Sequence, residues 1–257
     1  MSGKSRNEMK ISVITVCYNS ARTLERTLQS VAEQDWQKVE HIVIDGGSTD
    51  GSKKILERCR SRLSHLVSER DNGIFDAMNK GLALATGDVV CFLNSDDRYA
   101  SPNVLSQVAS RMLDHNLDAL MGDVGFFHER DSARIVRRYR SDRFHPDRLA
   151  WGWMPAHPAL FLRKEVVKRV GGFKTDYRIA GDFEFILRVF HGHALRYRHF
   201  PEVLVNMQTG GVSTSGWRSK IKLNQEVLRA CRENGLQTNM LKILSKYPLK
   251  LFELLHL

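Results

Sequence analysis

Short apolar runs alternate with amphipathic segments through the first hundred residues, and this alternation constrains the fold more than any other feature. Four runs predict buried strands, at residues 11–17, 39–45, 66–68 and 89–93. Three intervening segments predict helices, at residues 21–34, 50–62 and 74–85. Because parallel strands need a crossover between them, this order predicts an α/β fold with a doubly wound, mostly parallel sheet.

The second half of the chain does not continue the regular alternation of strands and helices. Ser101 and Pro102 predict a further helix, with Ser101 as N-cap and Pro102 in its first position. Beyond about residue 118 the pattern predicts strands at 119–127 and 135–139, and helices at 163–170 and 181–190. Since no low-complexity linker intervenes, we expect one domain, preceded by a disordered N-terminus at 1–9 and followed by a helical segment at 217–257.

Positive charge is concentrated in the later part of the chain. The 257 residues carry a formal charge of +10, yet residues 1–100 hold 14 basic and 14 acidic side chains. Residues 101–257 hold 25 basic and 15 acidic ones. Such an excess suits an anionic partner such as a membrane surface, although a solvated basic face is the alternative. No nucleic-acid-binding motif is present, so we expect no nucleic acid partner.

The last segment is apolar and basic. Residues 240–257 are rich in Leu, interrupted by Lys242, Lys246 and Lys250, and Pro248 breaks any single helix. The segment is too short to cross a bilayer. It could lie on an anionic membrane surface or dock on the core, and the sequence leaves both open.

The cysteines and the N-terminus bear on location. The four cysteines form no C-x-x-C pair, which argues against a zinc or redox motif. The first ten residues have no apolar signal-peptide core. We therefore expect a cytoplasmic protein with reduced thiols, with a peripheral position on the inner face of the cell membrane as the alternative.

Acidic residues follow two of the predicted strands. Asp45 ends the second strand and precedes Gly46 and Gly47, while Asp96 and Asp97 follow the fourth. Ligands of parallel sheets bind at the carboxyl ends of strands. Adjacent carboxylates repel unless a cation or donor groups neutralise them, so a divalent metal fits here; turn-forming Asp is the alternative. No G-x-G-x-x-G fingerprint or P-loop occurs.

Four segments in this order, at residues 15–19, 43–52, 72–81 and 92–97, resemble family 2 glycosyltransferases of the GT-A fold. The similarity covers residues 10–215 and is nearest to bacterial enzymes that build capsule, exopolysaccharide or glycolipid glycans. It implies a Rossmann-like sheet with a smaller mixed acceptor-side region. Residues 10–100 would bind the nucleoside-diphosphate sugar, and residues 101–216 would form the acceptor side.

The resemblance also implies roles for individual residues. The nucleotide contacts would come from Thr15, Tyr18, Asn19, Asp45, Arg70, Lys80 and Asp96. Asp97 would be the ligand of Mg²⁺ or Mn²⁺. Many relatives have Asp at the position of Asn94, so here the ligation falls on Asp96 and Asp97. His157 would hold the pyrophosphate or the metal, with a structural role as the alternative.

The family's inverting reaction needs a general base, and Asp182 lies at the matching position. Without the resemblance, the sequence pattern favours Asp182 as the N-cap residue of a helix at 183–190. Glu184 should point elsewhere on that helix. Trp153 is expected to stack on an acceptor sugar, unless it is a core aromatic. Gly210, Gly211 and Ser213 resemble a lid over the donor, with a flexible linker as the alternative.

These residues predict a metal-dependent, inverting transfer of a sugar from a nucleoside diphosphate to a hydroxyl of a glycan or lipid-linked saccharide. A sugar-phosphate nucleotidyltransferase shares the parallel sheet and the carboxylate-bound metal. That class would want a Gly-rich basic loop directly after the first strand, and residues 18–22 supply none. A non-catalytic binding protein is a third possibility, which the intact acidic residues disfavour.

Overall fold

The computed structural model describes residues 9–209 and 216–247. The strands are β1 Ile11–Cys17, β2 Val39–Asp45, β3 His65–Ser68, β4 Val89–Phe92, β5 Asp97–Tyr99, β6 Ala119–His128, β7 Asp131–Tyr139, β8 Leu160–Arg163 and β9 Tyr197–Gln208. The α-helices are α1 Leu24–Ala32, α2 Ser52–Cys59, α3 Ile74–Leu84, α4 Val104–Asp114, α5 Lys164–Val170, α6 Gly181–Phe190, α7 Gly216–Glu233 and α8 Met240–Leu244. Short 3₁₀ turns lie at Arg60–Arg62, Pro146–Trp151 and His157–Ala159.

The described strands form one curled, mixed sheet. Its order is β3-β2-β1-β4-β8-β6-β9-β5, and β7 pairs with β6 as a side branch. The strands β1 to β4 are parallel, as predicted, and β6 and β9 run in the same direction. The strands β5, β7 and β8 are antiparallel to their neighbours. The parallel half thus carries the predicted crossovers, and the antiparallel strands lie in the second half.

Alternate residues of the parallel strands enter two different cores. Ile14 and Ile42 pack with α3, α5 and α6 on one side of the sheet. Ile11 and Val13 pack with α4 on the other. This two-sided burial explains why these strands read as continuous apolar runs. No helix among the described residues is both long and apolar enough to cross a membrane.

Three local predictions were wrong. Ser101 does not cap α4, which begins at Val104 with Asn103 as its N-cap residue. The prediction contained no strand after β4, whereas Asp97 starts β5, which pairs with β9. Met9, assigned to a disordered N-terminus, is buried, and its carbonyl accepts the indole N–H of Trp36.

The C-terminal helices dock on the core. Val227 and Ala230 of α7 are buried, as is Ile243 of α8, so the described part of the tail is anchored through these side chains. Other apolar residues of the tail remain exposed, with Leu241 at 80%. Lys250 and Pro248 lie outside the described residues.

Candidate active site

The loops that follow β1, β2 and β4 are tied together by short polar side chains. Asn19 has a positive φ of 50°, and its side-chain oxygen accepts the backbone N–H of Thr49 at 2.8 Å. The Ser48 hydroxyl accepts the Asn19 N–H at 2.8 Å. The Ser95 hydroxyl donates to Ser20 Oγ at 2.8 Å. These bonds assemble one crevice at the carboxyl edge of the sheet.

Asp45 is buried at the end of β2, with an exposure of 0%. Its carboxylate accepts the hydroxyl of Ser68 at 2.6 Å and the backbone N–H of Ser48 at 3.2 Å. The Ser48 hydroxyl and the thiol of Cys17 also donate to it, at 2.5 and 3.7 Å. Asp45 is therefore fixed by its neighbours, and its contact with a nucleobase stays a prediction.

A second carboxylate lies directly beside the end of β2. A Cβ added to Gly46 would be only 2.4 Å from Oδ2 of Asp71, so a side chain at this position would displace that carboxylate. The other oxygen of Asp71 accepts the Gly73 N–H at 2.9 Å. The glycine that follows Asp45 thus makes room for an acidic group in the crevice.

The segment after β4 contains a buried carboxylate without partners. Asp97 is 1% exposed, and neither of its side-chain oxygens has a hydrogen-bond partner among the described residues. Burial raises its pKa well above the usual value, and the charge of Asp96 adds to this rise. Asp96 itself is exposed at the mouth of the same turn. Nearby in sequence, Asn94 Oδ1 is also buried and unpartnered.

His157 packs against aromatic side chains at the end of β4. Its ring stacks on Phe92, the last residue of β4, with centroids 5.2 Å apart, and meets Phe173 edge-on at 5.8 Å. Burial lowers the pKa of His157 to about 4, so the ring is neutral at physiological pH. Its Nε2 has no partner among the described residues. A neutral imidazole nitrogen is available to a ligand or metal.

These orphaned atoms allow a test of the metal prediction. Of the five buried, unpartnered side-chain atoms in the described residues, four belong to Asn94, Asp97 and His157. Burying such atoms without a partner is costly, which favours a ligand that bonds them. No cluster of three or more His, Cys, Asp or Glu residues suited to a metal occurs in the described ranges. The residues fit a cation that takes most of its ligands from phosphate and water, as Mg²⁺ commonly does.

Asp182 lies in the first turn of α6, close to α3. A Cβ added to Gly181 would lie 2.5 Å from a ring carbon of Phe75, so glycine allows the start of α6 to approach the start of α3. Asp182 is not the cap, since Ala180 holds that position. One oxygen of Asp182 accepts the Phe183 N–H at 2.7 Å. Phe173 stacks on Phe75, with ring centroids 5.7 Å apart, and meets Phe92 edge-on at 5.2 Å, which joins this site to the end of β4.

The surroundings of Asp182 suit a base. Burial, helped by the charge of Glu226, raises the pKa of Asp182 to about 6, against the N–H bonds that lower it. The carboxylate form therefore predominates at neutral pH while remaining a competent proton acceptor. Glu184 points away from this site: it is 0% exposed and pairs with Arg188 and Lys174.

The remaining predicted nucleotide residues differ in availability. The Thr15 hydroxyl is buried inside the sheet, 3.0 Å from Nε2 of His41, and the predicted nucleotide contact of Thr15 stays a prediction. Tyr18 is 62% exposed at the end of β1. Arg70 is exposed. Lys80 lies 2.7 Å from Glu69, which raises its pKa, and its nitrogen donates to the Arg70 carbonyl.

The predicted acceptor-side residues are less well defined. Trp153 is partly buried just before the 3₁₀ turn that contains His157. Gly210, Gly211 and Ser213, the predicted lid, lie outside the described residues. They and Trp153 stay predictions.

Comparison with protein families decides the identity. Residues 12–171 match the family model of Glycosyl transferase family 2. The chain belongs to this family. An uncharacterized glycosyltransferase of Mycobacterium tuberculosis (strain CDC 1551 / Oshkosh) is 36% identical over 188 residues, 69% of this chain and 68% of the relative. A PGL/p-HBAD biosynthesis glycosyltransferase of Mycobacterium bovis (strain BCG / Pasteur 1173P2) is 32% identical over 210 residues, 79% of each. The protein is thus a glycosyltransferase, and the other two function classes are set aside.

Solved structures confirm the GT-A fold of this family 2 glycosyltransferase. S. aureus TarS 1-349, in complex with UDP-GlcNAc, has a TM-score of 0.68 at 22% identity. The match covers 86% of this chain and 66% of that one. The mannosyltransferase PcManGT from Pyrobaculum calidifontis, in complex with GDP-Man and Mn²⁺, has a TM-score of 0.64 at 23% identity. That match covers 88% of this chain and 64% of the other.

Proposed function

We propose that this glycosyltransferase transfers a sugar, with inversion, from a nucleoside-diphosphate sugar to a hydroxyl of a glycan or lipid-linked saccharide. The observation that carries the proposal is the buried carboxylate of Asp97, whose oxygens have no described protein partner. Solved relatives by fold hold UDP-GlcNAc, or GDP-Man with Mn²⁺. Asp97, with Asn94 and His157, would hold a divalent cation and the donor's diphosphate.

The chain's own residues divide the work between donor and acceptor. Tyr18, Asn19, Asp45 and Asp96 line or support the nucleotide crevice, with Arg70 and Lys80 adding positive charge. When bound, Mg²⁺ or Mn²⁺ would neutralise the negative charge that develops on the departing diphosphate. Asp182 takes the proton of the acceptor hydroxyl. The oxygen of that hydroxyl attacks the anomeric carbon from the face opposite the departing diphosphate. Trp153 stacks on the acceptor.

Donor binding and turnover test this assignment separately. Thermal shift against a panel of nucleoside diphosphates, with and without Mn²⁺, should show a metal-dependent rise in melting temperature. Asp182→Asn should keep that rise but lower the transfer rate by about 10²–10⁴-fold, because the proton acceptor is lost. In the wild type the rate should rise with pH through about 6, as Asp182 ionises. Unchanged transfer by Asp182→Asn would remove Asp182 from this role.

The C-terminal segment is proposed to face an anionic membrane surface. Trp217 and Ile221 of α7 are 67% and 47% exposed and lie one turn apart. Leu241 and Leu244 of α8 are also exposed, and Tyr247 bonds Asn224 beside the α7 pair. Residues 216–225 contain three basic side chains and no acidic one. An apolar strip flanked by cations suits lipid headgroups.

Vesicle co-sedimentation tests this surface. Trp217→Ser and Leu241→Ser should each weaken binding to phosphatidylcholine vesicles that contain phosphatidylserine, by removing apolar contact area. Ile135→Ser is the matched control, because Ile135 is 41% exposed on β7, far from the tail in sequence. Equal binding by all variants would contradict a membrane role, as would equal binding to vesicles without anionic lipid.

A further inference from the structure

A glutamate of α7 binds the turn that precedes the proposed base. Glu226 is 3% exposed, and its carboxylate accepts three consecutive backbone N–H groups. These come from Arg178 at 3.1 Å, Ile179 at 2.9 Å and Ala180 at 2.9 Å. On the outer side, Lys222 lies 3.6 Å from the same carboxylate. Successive N–H groups that converge on one anion form a rigid, well-satisfied arrangement.

The same face of α7 holds the residues just before this turn. Arg229 pairs with Asp176, and the hydroxyl of Tyr177 donates to Glu233 at 3.0 Å. Lys174 lies 3.0 Å from Glu233 as well. These pairs are partly exposed, with the side chain of Arg229 at 41%, so each adds little to the stability of the fold by itself. The buried bonds of Glu226 are the strongest link between α7 and the turn.

The turn leads directly into the catalytic helix. Ala180 is the N-cap residue of α6, and Asp182 follows two positions later. A displacement of the turn would therefore move the Asp182 carboxylate relative to the crevice. Misplacement of a reacting group by about 1 Å can lower a rate about 10²-fold.

We propose that Glu226 is a positioning residue for transfer, which fixes the turn 178–180 so that Asp182 enters the crevice in its reactive orientation. The inference rests on the role of Asp182 proposed above. Burial raises the pKa of Glu226, but the three N–H bonds outweigh it and lower the pKa, so the group stays ionised. Its negative charge acts on Asp182 in turn and keeps that carboxyl a better proton acceptor.

The experiment compares full-length Glu226→Gln with Glu233→Gln, a matched control on the same helix whose contacts exclude the 178–180 N–H groups. We expect Glu226→Gln to lower kcat about 10–100-fold while the donor KM changes less than about twofold. Its pH profile should shift to lower pH, because Asp182 loses a nearby negative charge. Glu233→Gln should keep the wild-type profile.

Two further variants make the result decisive. Glu226→Asp keeps the charge and the fold but shortens the reach, so it should lower kcat without shifting the pH profile. In an Asp182→Asn background, Glu226→Gln should have no further effect on kcat, because both act through one group. Wild-type kcat and pH profile in folded Glu226→Gln or Glu226→Asp would overturn the inference. Wild-type kcat in Asp182→Asn alone would instead overturn the proposed base.

Discussion

Two buried carboxylates at opposite edges of one sheet have opposite surroundings. Glu40, near the amino end of β2, is 2% exposed and accepts Lys10 Nζ at 2.5 Å and Ser12 Oγ at 2.6 Å. The N–H and hydroxyl of Thr86 also donate to it, at 2.7 and 2.5 Å. Asp97, at the carboxyl edge, is 1% exposed and has no side-chain partner in the described residues.

The comparison separates an acid that stabilises the fold from one that is kept for a ligand. Burial acts to raise the pKa of Glu40, but its donors outweigh burial and lower it to about 2. Within the described chain, Asp97 has no such donors for its side chain, and therefore burial raises its pKa. A satisfied buried group favours folding, whereas an unsatisfied one costs stability until something binds it.

The largest expected effect is on activity. Asp97→Ala should lower metal-dependent transfer by about 10³-fold, because the diphosphate site loses its buried carboxylate. The free energy of unfolding of the ligand-free protein should change by less than about 1 kcal/mol, since no hydrogen bond is lost. Radiolabel transfer and urea denaturation measure the two quantities.

Asp123→Ala is the control for that stability measurement. Asp123 is 0% exposed but accepts from Arg138 and His199, each at 2.7 Å, so its loss should cost about 3 kcal/mol. Equal destabilisation by the two substitutions would show that Asp97 is as well satisfied as Asp123.

At the other edge, Glu40→Ala should lower the free energy of unfolding by about 2–3 kcal/mol, because Ser12 and the Thr86 N–H lose their buried acceptor. The rate per folded molecule should stay near wild type, since Glu40 is remote from the crevice. Glu33→Ala, an exposed change directly after α1, should cost less than about 0.5 kcal/mol. A strong loss of specific activity in Glu40→Ala would contradict the conclusion that Glu40 stabilises the fold while Asp97 serves ligand binding.

Acid should remove the contribution of Glu40 selectively. A carboxyl whose pKa is lowered in the folded state stabilises the protein above its unfolded value of 4.5. That contribution is lost as pH falls from about 4.5 towards about 2. Urea denaturation over this range should therefore show a steeper loss in wild type than in Glu40→Gln, and parallel curves would contradict the assignment.

The smallest expected effect is that of His157→Phe. Phenylalanine keeps the stacking on Phe92 and removes the unpartnered nitrogen, so stability should change by less than about 1 kcal/mol. The affinity for a nucleoside diphosphate with Mn²⁺ should fall about tenfold if the nitrogen binds that complex. Isothermal titration measures it, and an unchanged affinity would leave His157 with a packing role alone.

The sequence predicted the parallel half of the fold well. The strands β1 and β2 have the predicted bounds, because continuous apolar runs between polar segments leave few alternatives for a strand buried on both faces. The three-residue strand β5 was missed, since its pairing with β9 depends on residues more than a hundred positions away. The start of α4 was misjudged, because Ser101 resembles a cap as closely as Asn103 does.

The candidate site was predictable where motifs are local. Asp96 and Asp97 follow an apolar strand, and that local context by itself predicts a ligand site. Glu226 could not be found this way, because its partners lie 46 to 48 residues earlier in the chain. The contact between the Thr15 hydroxyl and His41 within the sheet could not be predicted either, since it joins two different strands.

The hydrogen bonds among Asn19, Ser48, Thr49, Ser20 and Ser95 have a thermodynamic consequence for nucleotide capture. Three connecting segments are already immobilised before the donor arrives, so little backbone entropy remains to be lost at that edge. Selection among sugars would then depend on the shape of a preset cleft more than on the energy needed to order it.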